Sequence, residues 1–254
     1  MSTSRLPPEL LARVISSLSP NLVQYAIVSR EWQATIERQT FAHVKLDTPE
    51  RLAQFHELVA QNKRRRSCVR TVEVAVRLEA YSVEARAHSE TTEEQARNNE
   101  IFVHWLRTVL ASLALWSDKD RADVELWIVA QSPSDVADRQ RKKDARMDPE
   151  TDILHRRFEH SYLHISQSAL ADLAPINAVG TLLMRRQQRL ISPASCSYLA
   201  AKLPRLQKMQ LKLSDDEKRD PQLRKRNREG KPLNPELFHN LRNLLFLLFA
   251  GKWF

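Results

Sequence analysis

Three histidines near the middle of the chain are the residues that most suggest metal chemistry. They are His155, His160 and His164, and imidazole nitrogens are common zinc ligands. No cysteine lies near them, and a predicted strand through Tyr162–Ser166 would point alternate side chains to opposite faces instead of bringing the rings together. The spacing therefore predicts ordinary packed or solvated histidines, and we expect neither a metal site nor a bound cofactor.

Nucleotide-binding loops and hydrolase motifs are also missing from the sequence. The 254 residues include three glycines, Gly180, Gly230 and Gly251, and none of them lies in a glycine-rich cluster that could hold phosphates. No G-x-S-x-G elbow surrounds a serine. We therefore expect a protein that is not an enzyme, with no catalytic residues of its own.

The net charge of +9 comes from the part of the chain after residue 60, because residues 1–60 carry six basic and six acidic side chains. The surplus lies in four basic stretches, which are Lys63–Arg66, Arg139–Arg146, Arg185–Arg189 and Arg224–Arg228. Such stretches can bind nucleic acid, an acidic partner or a nuclear import receptor. More often they are solvated loops, and no RNA-binding motif accompanies them, so the sequence disfavours a nucleic-acid partner.

The two cysteines and the hydropathy of the chain bear on its compartment. Cys68 and Cys196 are 128 positions apart and form no C-x-x-C motif, which is typical of free thiols in a reducing compartment. There is no basic-then-apolar leader and no uninterrupted run of eighteen apolar residues. We expect a nuclear or cytoplasmic protein without a membrane partner.

The elements that must position any site alternate between strands and helices. The predicted strands are Ala42–Leu46, Val69–Leu78, Val124–Ala130, Tyr162–Ser166, Val179–Met184, Lys208–Leu213 and Leu244–Ala250. The predicted helices between them are Pro49–Gln61, Glu93–Trp116, Ser168–Leu173, Pro193–Leu203 and Pro235–Leu241. Three tryptophans with apolar neighbours are expected in the core, and they are Trp105, Trp116 and Trp127. This alternation predicts an α/β fold with parallel strands.

The spacing of the predicted strands favours a repeat array over a doubly wound sheet or a barrel. Strand centres near residues 45 and 72 are about 27 residues apart, as are those near 182 and 209, within the roughly 20–29 of leucine-rich repeats. The other intervals are longer and irregular. Residues 47–254 are therefore expected to form an irregular leucine-rich-repeat-like solenoid with a curved parallel sheet, whose strand face is the candidate binding surface.

The first forty residues predict three short helices. Apolar residues repeat at three- and four-residue spacing over a first helix from about Pro8 to Leu18, and a short second helix spans Leu22–Ala26. Ser29 can cap a third helix whose apolar face includes Trp32. So small a unit buries too little surface to be stable alone, so its apolar face must meet the rest of the chain or another protein.

The residues of this unit resemble the F-box, the module by which substrate receptors bind the Skp-type adaptor of cullin–RING ubiquitin ligases. The resemblance rests on the segments Leu6-Pro7-Pro8-Glu9-Leu10-Leu11, Val14-Ile15, Leu18 and Val28-Ser29-Arg30-Glu31-Trp32. It covers about residues 6–46, with serine at position 29 where the family often has cysteine. Phe41–Leu46 is similar to the way fungal F-box proteins run from the third helix into the first strand of a repeat array.

The resemblance implies a domain organisation of 1–46 as F-box and 47–254 as degenerate leucine-rich repeats. It implies a substrate-recognition subunit of an SCF-type E3 ligase, which binds the adaptor through the F-box and an unknown protein client through the repeats. Adaptor contact is implied for Leu6, Pro7, Leu10, Ile15, Leu18, Val28 and Trp32.

Three alternatives remain open at this level. Residues 6–41 could be an ordinary helical hairpin that packs on the main domain. The chain could be a basic repeat protein that binds nucleic acid, or an F-box scaffold that acts outside the ligase. The apolar ending Leu237–Phe254 is either a buried last element or a sign that the chain is a shortened relative of a longer repeat protein.

Overall fold

The fold consists of a small helical unit followed by a parallel sheet with helices. The computed structural model describes residues 7–18, 22–116, 123–135, 157–158, 161–184 and 189–211. Its α-helices are α1 (Pro8–Ser16), α2 (Arg30–Thr40), α3 (Pro49–Gln54), α4 (Lys63–Arg66), α5 (Thr92–Ala114) and α6 (Pro193–Ala201). Its strands are β1 (His43–Leu46), β2 (Thr71–Arg77), β3 (Val124–Gln131), β4 (Tyr162–Leu163), β5 (Val179–Met184), β6 (Leu190–Ile191) and β7 (Lys208–Leu211). Shorter helical turns are the 3₁₀ segments Val23–Tyr25, Glu84–Ala87 and Ser168–Leu170 and the π-helix Phe55–Ala60.

The amino-terminal unit contains the three predicted helical segments. Pro8 begins α1, and proline suits this position because an N–H in the first helical turn would have no intrahelical hydrogen-bond acceptor. The helix ends at Ser16, two residues before the predicted Leu18. The middle segment is a single 3₁₀ turn. Ser29 caps α2 as predicted, because its hydroxyl oxygen accepts the Trp32 backbone N–H at 3.2 Å.

This unit has a small apolar core of its own. Leu11 and Ile15 on α1 and Ile36 on α2 are buried together. Partly buried apolar residues surround them, and these are Leu22, Tyr25, Ala26 and Trp32. This three-helix core is separate from the larger core of the sheet.

The main sheet is parallel throughout, with the strand order β1-β2-β3-β5-β7. Each new strand is added on the same side as the one before, so the order never reverses as it does in a doubly wound sheet. A second, two-stranded parallel pair joins β4 to β6. The predicted α/β class with parallel strands is confirmed.

The pairing register shows one period across the whole sheet. Val44 lies beside Val72 and Leu182 lies beside Met209, so the partners in each pair are about 27 residues apart, a spacing typical of repeat proteins. The two long intervals are close to twice that length, because Leu126 lies between Val72 on one side and Leu182 on the other. Tyr162 and Leu190 in the small sheet repeat the shorter spacing. The intervals between paired residues are therefore close to one or two multiples of the same length.

The core lies on one face of the main sheet. Alternate residues of β2 and β3 point towards α5, and these are Val72, Val74, Val76, Leu126 and Ile128. The apolar side of α5 packs on them with Phe102, Leu106 and Leu110, each of which is fully buried. Burial of these side chains holds the helix layer to the sheet.

Side-chain caps set the starts of three helices in the sheet region. Thr48 and Ser192 cap α3 and α6 as the sequence indicates, each with a proline at the next position. The pattern Thr92-x-x-Gln95 predicts a capping box for a helix that begins at Glu93, but the structure forms the box from Thr91 and Glu94, one residue earlier. The two threonines are adjacent, and both have a Glu or Gln three residues later.

Other sequence-based boundaries need small corrections. The helix after β1 continues as a π-helix to Ala60. Lys63–Arg66 lies between a predicted helix and a predicted strand, where a turn is expected, but it forms a short helix capped by Asn62. The predicted strand Tyr162–Ser166 pairs over two residues only. The predictions for Pro235–Leu241, for Leu244–Ala250 and for the apolar ending lie outside the described residues. Within the described ranges, no helix is both long and apolar enough to cross a membrane.

Candidate functional site

Among its described residues, the amino-terminal unit exposes four large apolar side chains. On α1, Leu10 is 46% exposed and Val14 is 40% exposed, and the two lie one turn apart on the same face. In the turn that leads into α2, Ile27 is 88% exposed and Val28 is 59% exposed. We use the name apolar patch for these two exposed pairs together, one on α1 and one before α2, and they are candidates for contact with another protein.

The predicted adaptor-contact residues are not equally accessible. Pro7, Leu10 and Val28 are exposed, and Leu18 and Trp32 are half-buried. Ile15 has no exposed surface, because it fills the three-helix core. Leu6 lies outside the described residues.

Two residues of the apolar patch, Val14 and Ile27, are absent from the predicted contact set. A signal for Val14 exists in the sequence, since it lies four residues after Leu10, just as Ile15 lies four residues after Leu11. The helix therefore has two adjacent apolar stripes, and only one of them can face the internal core. For Ile27 we find no comparable pattern, because the segment between the helices is too short to show a period.

The other candidate surface is part of the sheet face opposite α5, towards the amino ends of the strands, because Ala75 and Val129 further along that face are buried. Its side chains form rows across the strands: His43, Thr71, Glu125, Thr181 and Lys208 in one row, and Lys45, Glu73, Trp127, Leu183 and Gln210 in the next. The helices of the main core do not cover these rows, since none of the ten residues belongs to that core. We call this surface the open sheet face.

Trp127 lies on the open sheet face, so its predicted core position is wrong, whereas Trp105 and Trp116 are buried as expected. Its indole Nε1 donates to the Glu125 carboxylate at 3.2 Å, and the His43 ring lies edge-on at 5.6 Å between centroids. His43 Nε2 is in turn 3.4 Å from the Glu73 carboxylate. Alternation along β3 indicates this placement, because Leu126 and Ile128 on either side point into the core.

A buried polar network lies near the carboxyl ends of β2 and β3. Arg157 donates to the carbonyls of Ala85 at 2.5 Å and His88 at 3.0 Å and to the Glu94 carboxylate at 2.8 Å. Its guanidinium stacks on the Tyr81 ring at 4.5 Å. Burial acts to raise the pKa of Glu94, but its hydrogen bonds with the Thr91 backbone and with Arg157 outweigh that effect, so the pKa lies below its ordinary value.

Arg189 is the second buried cation of this network. It donates to Glu90 at 2.9 Å, and its Nε is 3.9 Å from Asp135, with all three side chains almost fully buried. Glu90 also accepts from Asn98 at 2.6 Å and from Ser161. Burial lowers the pKa of Arg189, although the two carboxylates oppose that shift. The network joins segments far apart in the chain, and we assign it a structural role because its charges are paired with one another.

Metal ligands and thiols are the remaining kinds of candidate in the described residues. They contain no group of three or more His, Cys, Asp or Glu side chains able to hold a metal ion, and His155 and His160 lie outside them. Cys68 and Cys196 are free and buried. Burial raises the pKa of the Cys196 thiol to about 12, so it stays protonated and unreactive at neutral pH.

Comparison with known proteins adds no family to these observations. The sequence matches no protein-family model, and no similar chain was found among curated proteins or among solved structures.

Proposed function

We propose that the protein is a non-enzymatic substrate receptor of an SCF-type E3 ubiquitin ligase. In this proposal residues up to Leu46 form an F-box that binds a Skp-type adaptor and, through it, a cullin–RING ligase. The observation that carries the proposal is the apolar patch: Leu10, Val14, Ile27 and Val28 stay exposed on a helical unit that already has its own core. Partner proteins cover such patches.

The register of the sheet supports the second half of the proposal, a leucine-rich-repeat-like solenoid. Five parallel strands follow one another in chain order, with paired residues separated by one or two multiples of the same period. A solenoid has this strand order, because each repeat packs only on its neighbours. The period lies in the range of leucine-rich repeats.

The client binds the open sheet face in this proposal. That face carries an aromatic ring, carboxylates and lysines within two neighbouring rows, which suits recognition of a protein surface through several weak contacts. Ubiquitin transfer belongs to the other ligase subunits, and the receptor acts in the nucleus or cytoplasm where they are found.

A double substitution of the apolar patch tests adaptor binding. Leu10→Asp with Val28→Asp places two charges where the adaptor must bury apolar side chains. Each lost anchor costs at least about 1.4 kcal/mol, or tenfold, so we expect adaptor affinity to fall about 100-fold or more. The measurement is a titration of the purified chain with a purified Skp-type adaptor by calorimetry.

The matched control is Val83→Asp, which changes another exposed apolar residue, 61% accessible and remote in sequence from the helical unit. We expect wild-type affinity from this variant. Wild-type affinity of the double variant, or no adaptor binding by the wild type, would contradict the proposal. Recovery of adaptor without cullin from cells would favour the alternative of a scaffold that acts outside the ligase.

The nucleic-acid alternative predicts a different result in the same preparation. Binding to DNA or RNA should weaken steeply with added salt, whereas burial of the apolar patch by an adaptor should not. A salt titration with a fluorescent oligonucleotide separates the two.

A further inference from the structure

The basic helix α4 contacts the amino-terminal helical unit through one carboxylate. Glu37 on α2 accepts from Arg65 Nη2 at 3.4 Å, and its other oxygen is 3.3 Å from Arg64 Nε. The Glu37 side chain is only 11% exposed, so water screens it less than it screens an ordinary surface carboxylate. Gln33 donates to the same carboxylate from one turn earlier on α2, at 3.3 Å.

Arg65 links this carboxylate to the sheet region. Its Nη1 donates to the Leu58 carbonyl at 3.1 Å, and its guanidinium carbon lies 5.2 Å from the centre of the Phe41 ring. Phe41 itself packs against the main core. One arginine therefore contacts α2, the π-helix after α3 and the segment that leads into β1.

Arg66 connects α4 to the carboxyl end of α5. Its Nη1 donates to the Leu115 carbonyl at 2.9 Å, just after the last residue of α5. Asn62 fixes α4 by accepting the backbone N–H groups of Arg64 and Arg65. The basic stretch is thus held by contacts with its own chain on three sides.

Among the described residues, the buried apolar clusters do not supply an equivalent link. The core of the helical unit and the core of the sheet are separate clusters. Within the unit, Gln39 on α2 donates to the Ala12 carbonyl of α1 at 3.3 Å, which holds α1 to α2. In this part of the chain, the polar contacts of Glu37 and the short connection through Phe41 therefore join α2 to the sheet region.

We propose that Glu37, Arg64 and Arg65 form a polar joint that sets the orientation of the amino-terminal helical unit on the sheet. The joint consists of ion pairs around one carboxylate, and Arg64 and Arg65 serve this internal contact instead of a nucleic acid. The relevance of the joint to a ligase receptor rests on the proposed function, because the joint would fix the helical unit that binds the adaptor relative to the sheet that binds the client. The experiment that tests the joint itself needs no adaptor.

The test measures a distance between spin labels on the two parts of the protein. Labels at Arg13→Cys on α1 and Glu100→Cys on α5 are both at exposed positions, and the native cysteines are buried. In 0.1 M salt the wild type should give one narrow distance distribution. Glu37→Gln and Arg65→Gln should each at least double its width, because each removes one partner of the joint.

Lys63→Gln is the matched control, since it removes the same charge from the same helix and Lys63 has no ion pair among the described residues. It should leave the distribution narrow.

A narrow distribution in both Glu37→Gln and Arg65→Gln would overturn the proposal. Equal broadening by Lys63→Gln would overturn it too, because the effect would then follow total charge. Failure of Leu10→Asp with Val28→Asp to weaken adaptor binding would count against the receptor function only and would leave the joint intact.

Discussion

Leu10 and Ile15 lie on the same short helix and have opposite environments. Ile15 is fully buried in a core of three large residues, whereas almost half of Leu10 faces solvent. Ile15→Ala should therefore destabilise the helical unit by about 3 kcal/mol, because it removes buried surface and leaves a cavity. Leu10→Ala should change stability by only about 0.5 kcal/mol.

Amide hydrogen exchange in α2 measures this difference. The exchange rates of α2 amides should rise about 100-fold in Ile15→Ala and stay near wild type in Leu10→Ala, since 1.4 kcal/mol is a tenfold change in an equilibrium constant. Adaptor affinity, measured on the folded fraction, should fall in Leu10→Ala and stay near wild type in Ile15→Ala. Equal protection in the two variants would mean that Ile15 does not support the core as its burial indicates.

Sequence alone could identify the apolar residues of α1 but not their directions. Leu10, Leu11, Val14 and Ile15 form two stripes of equal hydropathy, and the choice of the inner stripe depends on Ile36, more than twenty residues later. The outward position of Trp127 was predictable, because strict alternation in β3 places it opposite Leu126 and Ile128.

At the scale of elements, the start of α5 offers the sharpest test. Thr91 accepts the Glu94 backbone N–H, and the Glu94 carboxylate accepts the Thr91 N–H in return. Thr91→Ala should cost about 1 kcal/mol of stability, since it leaves orphan donors at the first turn of a 23-residue helix.

Thr92→Ala is the natural control, because it changes the same residue type one position later, where the side chain does not cap the helix. Its unfolding midpoint in urea should stay at or slightly above wild type, since alanine is the better helix former. A larger loss in Thr92→Ala than in Thr91→Ala would show that the helix begins where the sequence pattern first suggested.

Helices and their starts were predicted well where the stabilising residues are close in sequence, and poorly where these residues are far apart in the chain. Caps at Ser29, Thr48 and Ser192 are read from adjacent residues, and the structure has all three. The helix at Lys63–Arg66 was expected to be a turn, because its stabilising partners Glu37 and Leu115 lie far away in the chain.

At the scale of the whole molecule, two separate cores imply two levels of stability. The helical unit has a core of three buried residues, whereas the sheet region shares one large core. We expect the α1 and α2 amides to exchange through a partial opening of lower free energy than global unfolding. The β2 and β3 amides should exchange only through global unfolding.

Native-state hydrogen exchange at increasing urea measures both openings. The α1 amides should show a weak dependence on urea, and the β2 amides should show the full dependence of global unfolding. Saturating adaptor should raise the protection of α1 specifically. A single exchange free energy for both parts would contradict the separation of the cores.

The α/β class and the parallel strands followed from the alternation of strand-like and helical segments. The common multiple of the strand intervals did not follow from the sequence, because two of the intervals are long, and one of them includes the 23 residues of α5. Apolar periodicity within one segment indicates which face each residue takes, but it does not identify the distant residue that pairs with it.

The sheet register also bears on how recognition could change in this protein. A bound segment that runs across the strands would meet Lys45, Glu73, Trp127, Leu183 and Gln210 in turn, each from a different stretch of the chain. No two of these contacts are sequence neighbours, so each position along a bound segment is read by an independent piece of chain. A preference for a new target could therefore arise by single substitutions, one strand at a time, while the remaining contacts keep the old target in place.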